Sequence, residues 1–545
     1  MNVTRKLSAI ALGLITALGV SSIANAQCNP LPETKIGDPN CDGVFNAQDV
    51  VTFVNIAFRG NANSRCLGSD DINGDGVVNA QDVVLAVNVI FRGQTVVTPL
   101  RFYSLSGRSG AGAYTLIADD SIQYRVLGVY SVGQDTLTSI LPPPSSCPKS
   151  DTIRIQAGTD IQGDTSAATP SAFVVRRYGY IHSVGTETDP VVFTSMLPIG
   201  SRDRGNWGGF VVNGCDSCNE PSGQFLSEGN GGIGGGFASG DNSGCIIYTR
   251  QEFSGRVFAL NNELNGMTLN GVGRGTTIHH VQINQNADDG IEWFGGTVDV
   301  KYAVVSGCDD DKFDTDLGSN FRGQFLIAVE DTLKGTASTN HQGLEWDNRP
   351  AAPFNLTPVN NPVLANITII GQGYDFNPGG VSHHSVHFRR GTAGKVYNAL
   401  FTRWRRAVDV DDASTTTVEN SIWYDVNGYN QDGDAQGNGF VVDPVLGGPF
   451  VGPYAAPFNY LEAPNTAVAT PLPNILTASG YTDASFPDFR PLAGSLPVTW
   501  LTTSGSTILL PVDGFFNAAG NSFVGAINSG DPDPWYDVWT DWSRF

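Results

Sequence analysis

Positive charge is scarce in this sequence: 31 Lys and Arg stand against 53 Asp and Glu, for a formal net charge of −22 over 545 residues. A phosphate backbone needs a basic footprint, so nucleic acid is excluded as an expected partner. An acidic surface instead suits cations and solubility in salt. Long apolar runs are absent beyond residue 26, which excludes a further membrane-spanning segment as an expectation. Zinc-type spacings are missing too. Cys215 and Cys218 form one C-x-x-C without a second, and His279-His280 and His383-His384 have no third partner at ligand spacing, so no zinc site is expected. His182 and His341 read as lone surface or loop residues. No nucleophile elbow, Walker loop or dinucleotide fingerprint sits in a fitting strand–turn–helix context. The run Gly231-Gly232-Ile233-Gly234-Gly235-Gly236 reads as a flexible loop.

What is present begins with a secretion signal over residues 1–26. Arg5 and Lys6 precede an apolar stretch at 9–20, and Ala24-Asn25-Ala26 is a small-x-small cleavage site. Cys28 follows Gln27 and so lacks a lipobox. The expected location is extracellular or at the cell surface, where eight cysteines imply disulfides. Cys41 pairs plausibly with Cys66; Cys215 and Cys218 pair with each other, or with Cys147 or Cys245. The 65 glycines and sparse lysine predict many tight turns rather than long helices.

Two near-identical loops carry the strongest signal. D-P-N-C-D-G-V-F-N-A-Q-D runs from Asp38 to Asp49, and D-I-N-G-D-G-V-V-N-A-Q-D from Asp71 to Asp82. Oxygen ligands at loop positions 1, 3, 5, 9 and 12, a backbone carbonyl at 7 and glycine at 6 make the Ca²⁺ pattern, with Asp in place of Glu at 12. The expected metal ligands are Asp38, Asn40, Asp42, Val44, Asn46 and Asp49, then Asp71, Asn73, Asp75, Val77, Asn79 and Asp82. Gly43 and Gly76 supply the sharp turn. Each loop is followed by one amphipathic helix, with Val50, Val51, Val54 and Phe58 matched by Val83, Val84, Val87 and Phe91, and each helix stops at Gly60 or Gly93. This duplicated loop–helix unit resembles a type I dockerin over residues 37–93. The resemblance implies two Ca²⁺ ions and docking onto a cohesin-type domain through loop positions 10 and 11. Those are Ala47-Gln48 and Ala80-Gln81 here, not the Ser-Thr pair of the best-known examples. A Ca²⁺-stabilised spacer without a partner is the alternative.

From about residue 100 helical periodicity gives way to short β-branched runs, among them 153–155, 173–175, 191–193, 210–212, 281–283, 303–305, 367–370 and 399–401. Asp288–Gly296 aligns with Asp310–Gly318 at an offset of 22, and Ser385–Arg389 with Ala407–Asp411 at the same offset; Gln342–Asp347 fits between them. Such a period in a strand-rich chain predicts a parallel β-helix with one coil per repeat. Ile291, Phe313, Leu344, Val386 and Val408 would face inward. Residues 125–545 also resemble the secreted right-handed parallel β-helix proteins of bacterial surfaces. The shared motifs are I-x-I-x-A-G-T-x-I-x-G (153–163), R-G-N-W-G-G (204–209), N-N-E-L-N-G-M-T-L (261–269), D-D-G-I-E-W-F-G-G, D-D-D-K-F-D-T-D and F-R-P-L-A-G-S (489–495). The resemblance implies fold and export, but no reaction. The expected organisation is a signal at 1–26, the dockerin-like module at 27–98, a linker or lead-in at 99–124, and a mainly β, right-handed solenoid at 125–545. The tail with Trp535, Tyr536, Trp539 and Trp542 is expected to cover its open end.

Alternation puts one column of outward residues at Glu292, Asp314, Glu345, His387 and Asp409, and a second at Phe294, Asp316, Asp347, Arg389 and Asp411. Carboxylates stacked about 4.8 Å apart must bind cations, pair with arginine or take up protons. Arg389, Arg390, Arg405 and Arg406 are near enough in sequence to pair with them. Hydrolysis of a glycan would draw its acid and base from Asp314, Asp316, Glu345 and Asp409. A lyase would use Ca²⁺ or arginine against a uronate, with His387 or Arg389 as base. Glu292, Asp347 and Asp411 are expected to contact substrate. The competing reading is structural: Asp and Asn bond backbone N–H groups at solenoid turns, and Asp309-Asp310-Asp311 is such a turn or a structural Ca²⁺ site. The functions that follow are polysaccharide binding or processing, or a non-catalytic adhesion protein.

Overall fold

Residues 22 apart in the sequence lie one above another in space. The computed structural model describes residues 28–60, 64–95, 98–109, 112–134, 145–166, 170–259, 262–331, 334, 338, 341–372, 383–412, 414–424, 460–461, 487–491 and 510–543. The signal segment at 1–26, Asn261 and the end of the F-R-P-L-A-G-S motif lie outside them. The strands stack in parallel on three faces. The first face runs through Ala172–Val175, Gly209–Asn213, Met267–Asn270, Ile291–Phe294, Phe313–Asp316, Leu344–Asp347, His384–Arg389 and Arg406–Val410. Its register pairs Ile291 with Phe313, Phe313 with Leu344, Leu344 with Val386, and Val386 with Val408. All five are buried in one continuous apolar column, which also takes in Trp293, Trp346 and Phe388. A solenoid coil cannot bury its apolar side alone, so this column is what joins the coils.

The other two faces share long strands that bend in the middle. Thr277–Asn284, Val300–Ser306, Arg322–Val329 and Val363–Ile370 each hold one left-handed residue: His280, Tyr302, Phe325 and Asn366, with φ of 52°, 54°, 61° and 53°. That region is unfavourable for a side chain with a Cβ, and Asn tolerates it best. Here the bends stack on one another. Tyr248, His280, Tyr302 and Phe325 form a ladder of rings with centroids 4.5, 4.6 and 5.2 Å apart, and Asn366, Asn398 and Asn420 continue the left-handed column.

The Trp-rich tail does not close the end of the solenoid as expected; it lies along this flank. Trp539 meets Tyr248 and His280 edge-on, and Trp535 packs on Tyr302. Gln282 donates to the Asp541 carbonyl at 2.6 Å, and Asn366 and Asn398 donate to the Gly520 carbonyl at 3.0 Å. The physical reason is that the bends expose aromatic faces and amide edges in a row, which an extended chain covers coil by coil.

Two boundaries also move. Of the expected linker or lead-in at 99–124, the strands are a lead-in: Arg101–Arg108 pairs with Ile122–Val132, and Gly112–Leu116 pairs with Asp151–Ile155, so they belong to the solenoid. The helical module is stitched to it, because Cys66–Leu67, between the two loops, pairs with Thr115 and Leu116. Its helices α1 (Ala47–Arg59) and α2 (Ala80–Arg92) pack around Phe53, Ile72 and Ala86. Both start at a capping box, Asn46 with Asp49 and Asn79 with Asp82, and both end at a left-handed glycine.

Of the expected disulfides, Cys41–Cys66 and Cys147–Cys215 form; Cys28–Cys245 was not foreseen and ties the described N-terminus to a strand. Cys218 and Cys308 are buried thiols, pushed by burial up to about 11 and about 12, so neither is a nucleophile near neutral pH. His182 and His341, expected at the surface, are buried at 6% and 1% exposure. Among the described residues no helix is long and apolar enough to cross a membrane.

Candidate functional site

The first face brings the outward residues into line in the expected order. Glu292 pairs with Asp314, Asp314 with Glu345, Glu345 with His387, and His387 with Asp409. In the second column Phe294 pairs with Asp316 and Asp347 with Arg389, while Asp411 lies just past the strand and donates its N–H to the Phe388 carbonyl at 2.8 Å.

These outward side chains are not on an open surface. Glu292, Asp316, Glu345 and Asp347 are each less than a tenth exposed, because loops rise around them to form a cleft of about 580 Å³. The rim adds Glu220, Glu228 and Glu263, which no periodicity marked. It also includes Phe225–Ser227, which pairs with Gly232–Gly234 in a two-stranded hairpin. The glycine run is therefore a strand rather than a loose loop. It needs glycine at 234, where a Cβ would come within 2.5 Å of the Asn270 Cβ. Phe225 and Phe294 stand side by side on the cleft wall, with ring centroids 6.0 Å apart.

Burial sets the electrostatics. Asp288, Asp289, Glu292, Asp311, Asp314 and Asp316 are all pushed well above the usual carboxylate range, first by desolvation and then by neighbouring carboxylates. Glu345 is raised to about 7 by burial, against the opposing pull of Arg389. Arg389 bridges the row: it bonds Glu345, and its Nε donates to Asp347 at 2.7 Å, while Arg390 takes the other Asp347 oxygen. Burial disfavours the Arg389 charge, but Glu345 and Asp347 more than offset that and hold the guanidinium ionised. Arg389 is thus a fixed cation, which removes it as a base. His387 loses charge to desolvation and regains more from its hydrogen bond to Asp411 and from Glu345, so its pKa rises overall.

The structural reading holds for part of the acidic set. Asp289 accepts the Asp311 N–H at 2.8 Å, and Asp311 accepts the Gln342 N–H. Those two carboxylates cross-link successive turns, and they line the cleft together with Glu292, Asp314 and Glu345.

Carboxylate oxygens of Asp288, Asp289 and Asp310, of Asp289, Glu292 and Asp314, and of Asp311, Asp314 and Glu345 lie within 4.8 Å of one another. Glu345 Oε1 has no hydrogen-bond partner. Oxygen-only groups so spaced fit a hard divalent cation such as Ca²⁺.

Such a crowded row implies a pH-dependent stability. Asp314 is protonated in the fold at a pH where the unfolded chain has already lost that proton, so folding is progressively disfavoured as pH rises above about 4. Asp314→Asn removes this penalty. Without divalent cations the variant should gain in Tm over the parent between pH 5 and pH 8, measured by calorimetry. An advantage that shrinks with rising pH would contradict the assignment.

The two Ca²⁺-type loops differ from each other. In the first, Asp38 accepts from the N–H groups of Asp42 and Gly43, and Asp49 Oδ1 is buried with no hydrogen-bond partner. Burial, then Asp38 and Asp42, raise Asp49 to about 6. This loop fits a cation. In the second, Arg101 pairs with Asp71 at 2.7 Å, and Asp82 accepts from Ile72 and Asn73, so its ligands are partly engaged. Ala47, Gln48, Ala80 and Gln81 are exposed, as are Val51 and Phe58 on α1 and Val84 and Phe91 on α2.

No curated protein and no solved structure matches the chain significantly. A family profile described as a pectate-lyase-like β-helix domain does match, over residues 143–432. That span holds every rung of the cleft and just over half of the sequence, and the chain belongs to the pectate-lyase-like β-helix family.

Proposed function

We propose that this protein is exported, binds an extracellular polysaccharide along the carboxylate cleft and cleaves it by acid–base hydrolysis. The family assignment supports a polysaccharide-related role. The observation that carries the reaction type is Glu345. It is a buried carboxyl raised to about 7 beside Asp314 and within reach of Arg389, and so an acid still able to give a proton near neutral pH. Asp314 or Asp316 is the partnering carboxylate once a cation on the neighbouring carboxylates offsets the burial that otherwise keeps it protonated, and Asp409 is the more distant alternative. Phe225 and Phe294 offer apolar faces to sugar rings. Elimination is the weaker reading, because Arg389 is held charged by two carboxylates and His387 is held by Asp411. Ca²⁺ on the group that leaves Glu345 free, Asp288 with Asp289 and Asp310, would neutralise part of the row and let an acidic sugar approach. A screen of the mature chain with Ca²⁺ against neutral and acidic polysaccharides should release reducing ends without unsaturated-uronate absorbance. Both signals together would mean a lyase, and silence from folded protein would favour the adhesion reading.

The N-terminal module, in this reading, is a Ca²⁺-binding dockerin-like element that seats a cohesin-type partner on Ala47-Gln48 and Ala80-Gln81, with the matched apolar residues Val51, Phe58, Val84 and Phe91 exposed on the same two helices. Calorimetry on the mature chain should resolve two Ca²⁺ events belonging to the module, beside any uptake by the cleft, the first loop being the tighter. Asp49→Asn should abolish the tighter event and Asp82→Asn the weaker. The cleft variant Asp314→Asn should leave both in place. Folding and disulfide formation unaffected by Ca²⁺, with no binding heat from either loop, would overturn both the dockerin-like reading and the Ca²⁺-stabilised spacer.

A further inference from the structure

At the end of the carboxylate row the chemistry changes from oxygen alone to nitrogen and oxygen. His384 and His387 lie three residues apart on one strand, Asp409 is on the next rung, and Asp411 follows it. Sequence spacing offered the His383-His384 pair no third ligand, but stacking of the coils supplies two. The ring nitrogen Nε2 of His384 is 3.7 Å from Asp409 Oδ2, and Nε2 of His387 is 3.8 Å from the same oxygen and 3.1 Å from Asp411 Oδ2. His387, Asp409 and Asp411 each bring a ligand atom within 4.8 Å of the other two.

The two longer separations exceed a hydrogen bond, yet they suit co-ligands of one ion. Ligands about 2.0–2.1 Å from a tetrahedral zinc stand somewhat over 3 Å apart. The far side of His387 fits as well: its Nδ1 faces Glu345 Oε1 at 3.8 Å. A carboxylate on that side is where the partner of a metal-bound imidazole usually stands, here beyond hydrogen-bond length. His384, His387 and Asp409 are each less than a tenth exposed, and Asp411 is only partly covered, which leaves an approach from outside. Arg406 pairs with His384 in the ladder and Arg389 lies near His387, and both oppose a cation; Asp409, Asp411 and Glu345 outnumber them.

We propose that His384, His387, Asp409 and Asp411 form a site for a borderline divalent metal of the zinc class, separate from the oxygen-only groups of the cleft. Imidazole nitrogen selects such ions over Ca²⁺, so the two kinds of site discriminate by ligand type. The inference does not depend on hydrolysis, since metal uptake is read without substrate.

The test is Zn²⁺ titration of the mature chain in excess Ca²⁺, together with the visible absorption of added Co²⁺. The expected result is one Zn²⁺ retained against Ca²⁺ and a Co²⁺ spectrum of low coordination number. His387→Gln and Asp411→Asn should each weaken Zn²⁺ binding by at least about tenfold. His279→Gln, at the flank pair His279–His280, should change nothing. If His387→Gln fails to fold, Asp411→Asn carries the comparison, because Asp411 lies beyond the strand. Absence of Zn²⁺ uptake by the parent would overturn the proposal. So would uptake unchanged in folded Asp411→Asn, or uptake lost in His279→Gln.

Discussion

Glu345→Gln is expected to lower polysaccharide turnover by about 10²–10⁴-fold, the range a positioned general acid contributes, while leaving the fold intact. The amide keeps the shape of the carboxyl but cannot give up its proton to a leaving oxygen. Its neighbours Leu344 and Trp346 face the core, so the apolar column is untouched. Arg389 keeps its second partner, Asp347. Asp314→Asn should show a loss of similar size if Asp314 is the partnering carboxylate, and both variants should melt cooperatively. Loss of activity with loss of fold in both would return these residues to the structural role already evident for Asp289 and Asp311. Full activity in both would remove the central rungs from the chemistry.

Lys312→Met carries the largest expected cost in stability, about 3–5 kcal/mol, because it leaves a buried carboxylate unpaired. Lys312 lies in the corner position that Gly290 and Gly343 hold on the adjoining coils: Ile291 N–H donates to the Lys312 carbonyl, as Met267 N–H does to Gly290 and Phe313 N–H to Gly343. Its side chain is fully buried and its Nζ is 2.7 Å from Glu330, itself fully buried, with a further hydrogen bond to the Asp310 carbonyl. Desolvation opposes the Lys312 charge, and Glu330 more than restores it. The pair therefore pins the Asp309–Asp311 turn, and with it the floor of the cleft. Thermal and urea unfolding should show the loss, and adding Glu330→Gln should recover part of it, since the stranded charge is then gone. Equal destabilisation in the single and double variants would mean that packing, not the ion pair, holds the corner.

Much of this was readable before any coordinates, and for a physical reason. Strand side chains alternate with period two and coils repeat near 22 residues, so an offset of 22 fixes both the facing and the register of Glu292, Asp314, Glu345, His387 and Asp409. The loop–helix duplication was legible because turn and cap chemistry is local: Gly43, Asn46 and Asp49 act within one loop. What escaped was non-local. The cleft exists because Glu220, Glu228, Glu263 and the hairpin at 225–234 fold over the face from outside the repeat, and nothing in their own spacing shows that. His384 stacks on Arg406, and only the closeness of the two coils brings its ring within 3.7 Å of Asp409. His341 looked like a loop residue, yet it lies against His383 and 3.5 Å from Glu330. The Trp-rich tail was misplaced because a capped end and a covered flank ask for the same aromatic composition. Only the row of bends at Tyr248, His280 and Tyr302 decides between them.

The account rests most heavily on a proton donor in the cleft, and the pH–rate profile of polysaccharide cleavage by the mature chain, at fixed Ca²⁺, tests it most directly. Because Glu345 is raised to about 7 and must be protonated to act, kcat/KM should fall as pH rises through that value. A rate that rises through that value and is sustained to about pH 9, as a base that must be deprotonated gives, would contradict the account and give the cleft to elimination chemistry.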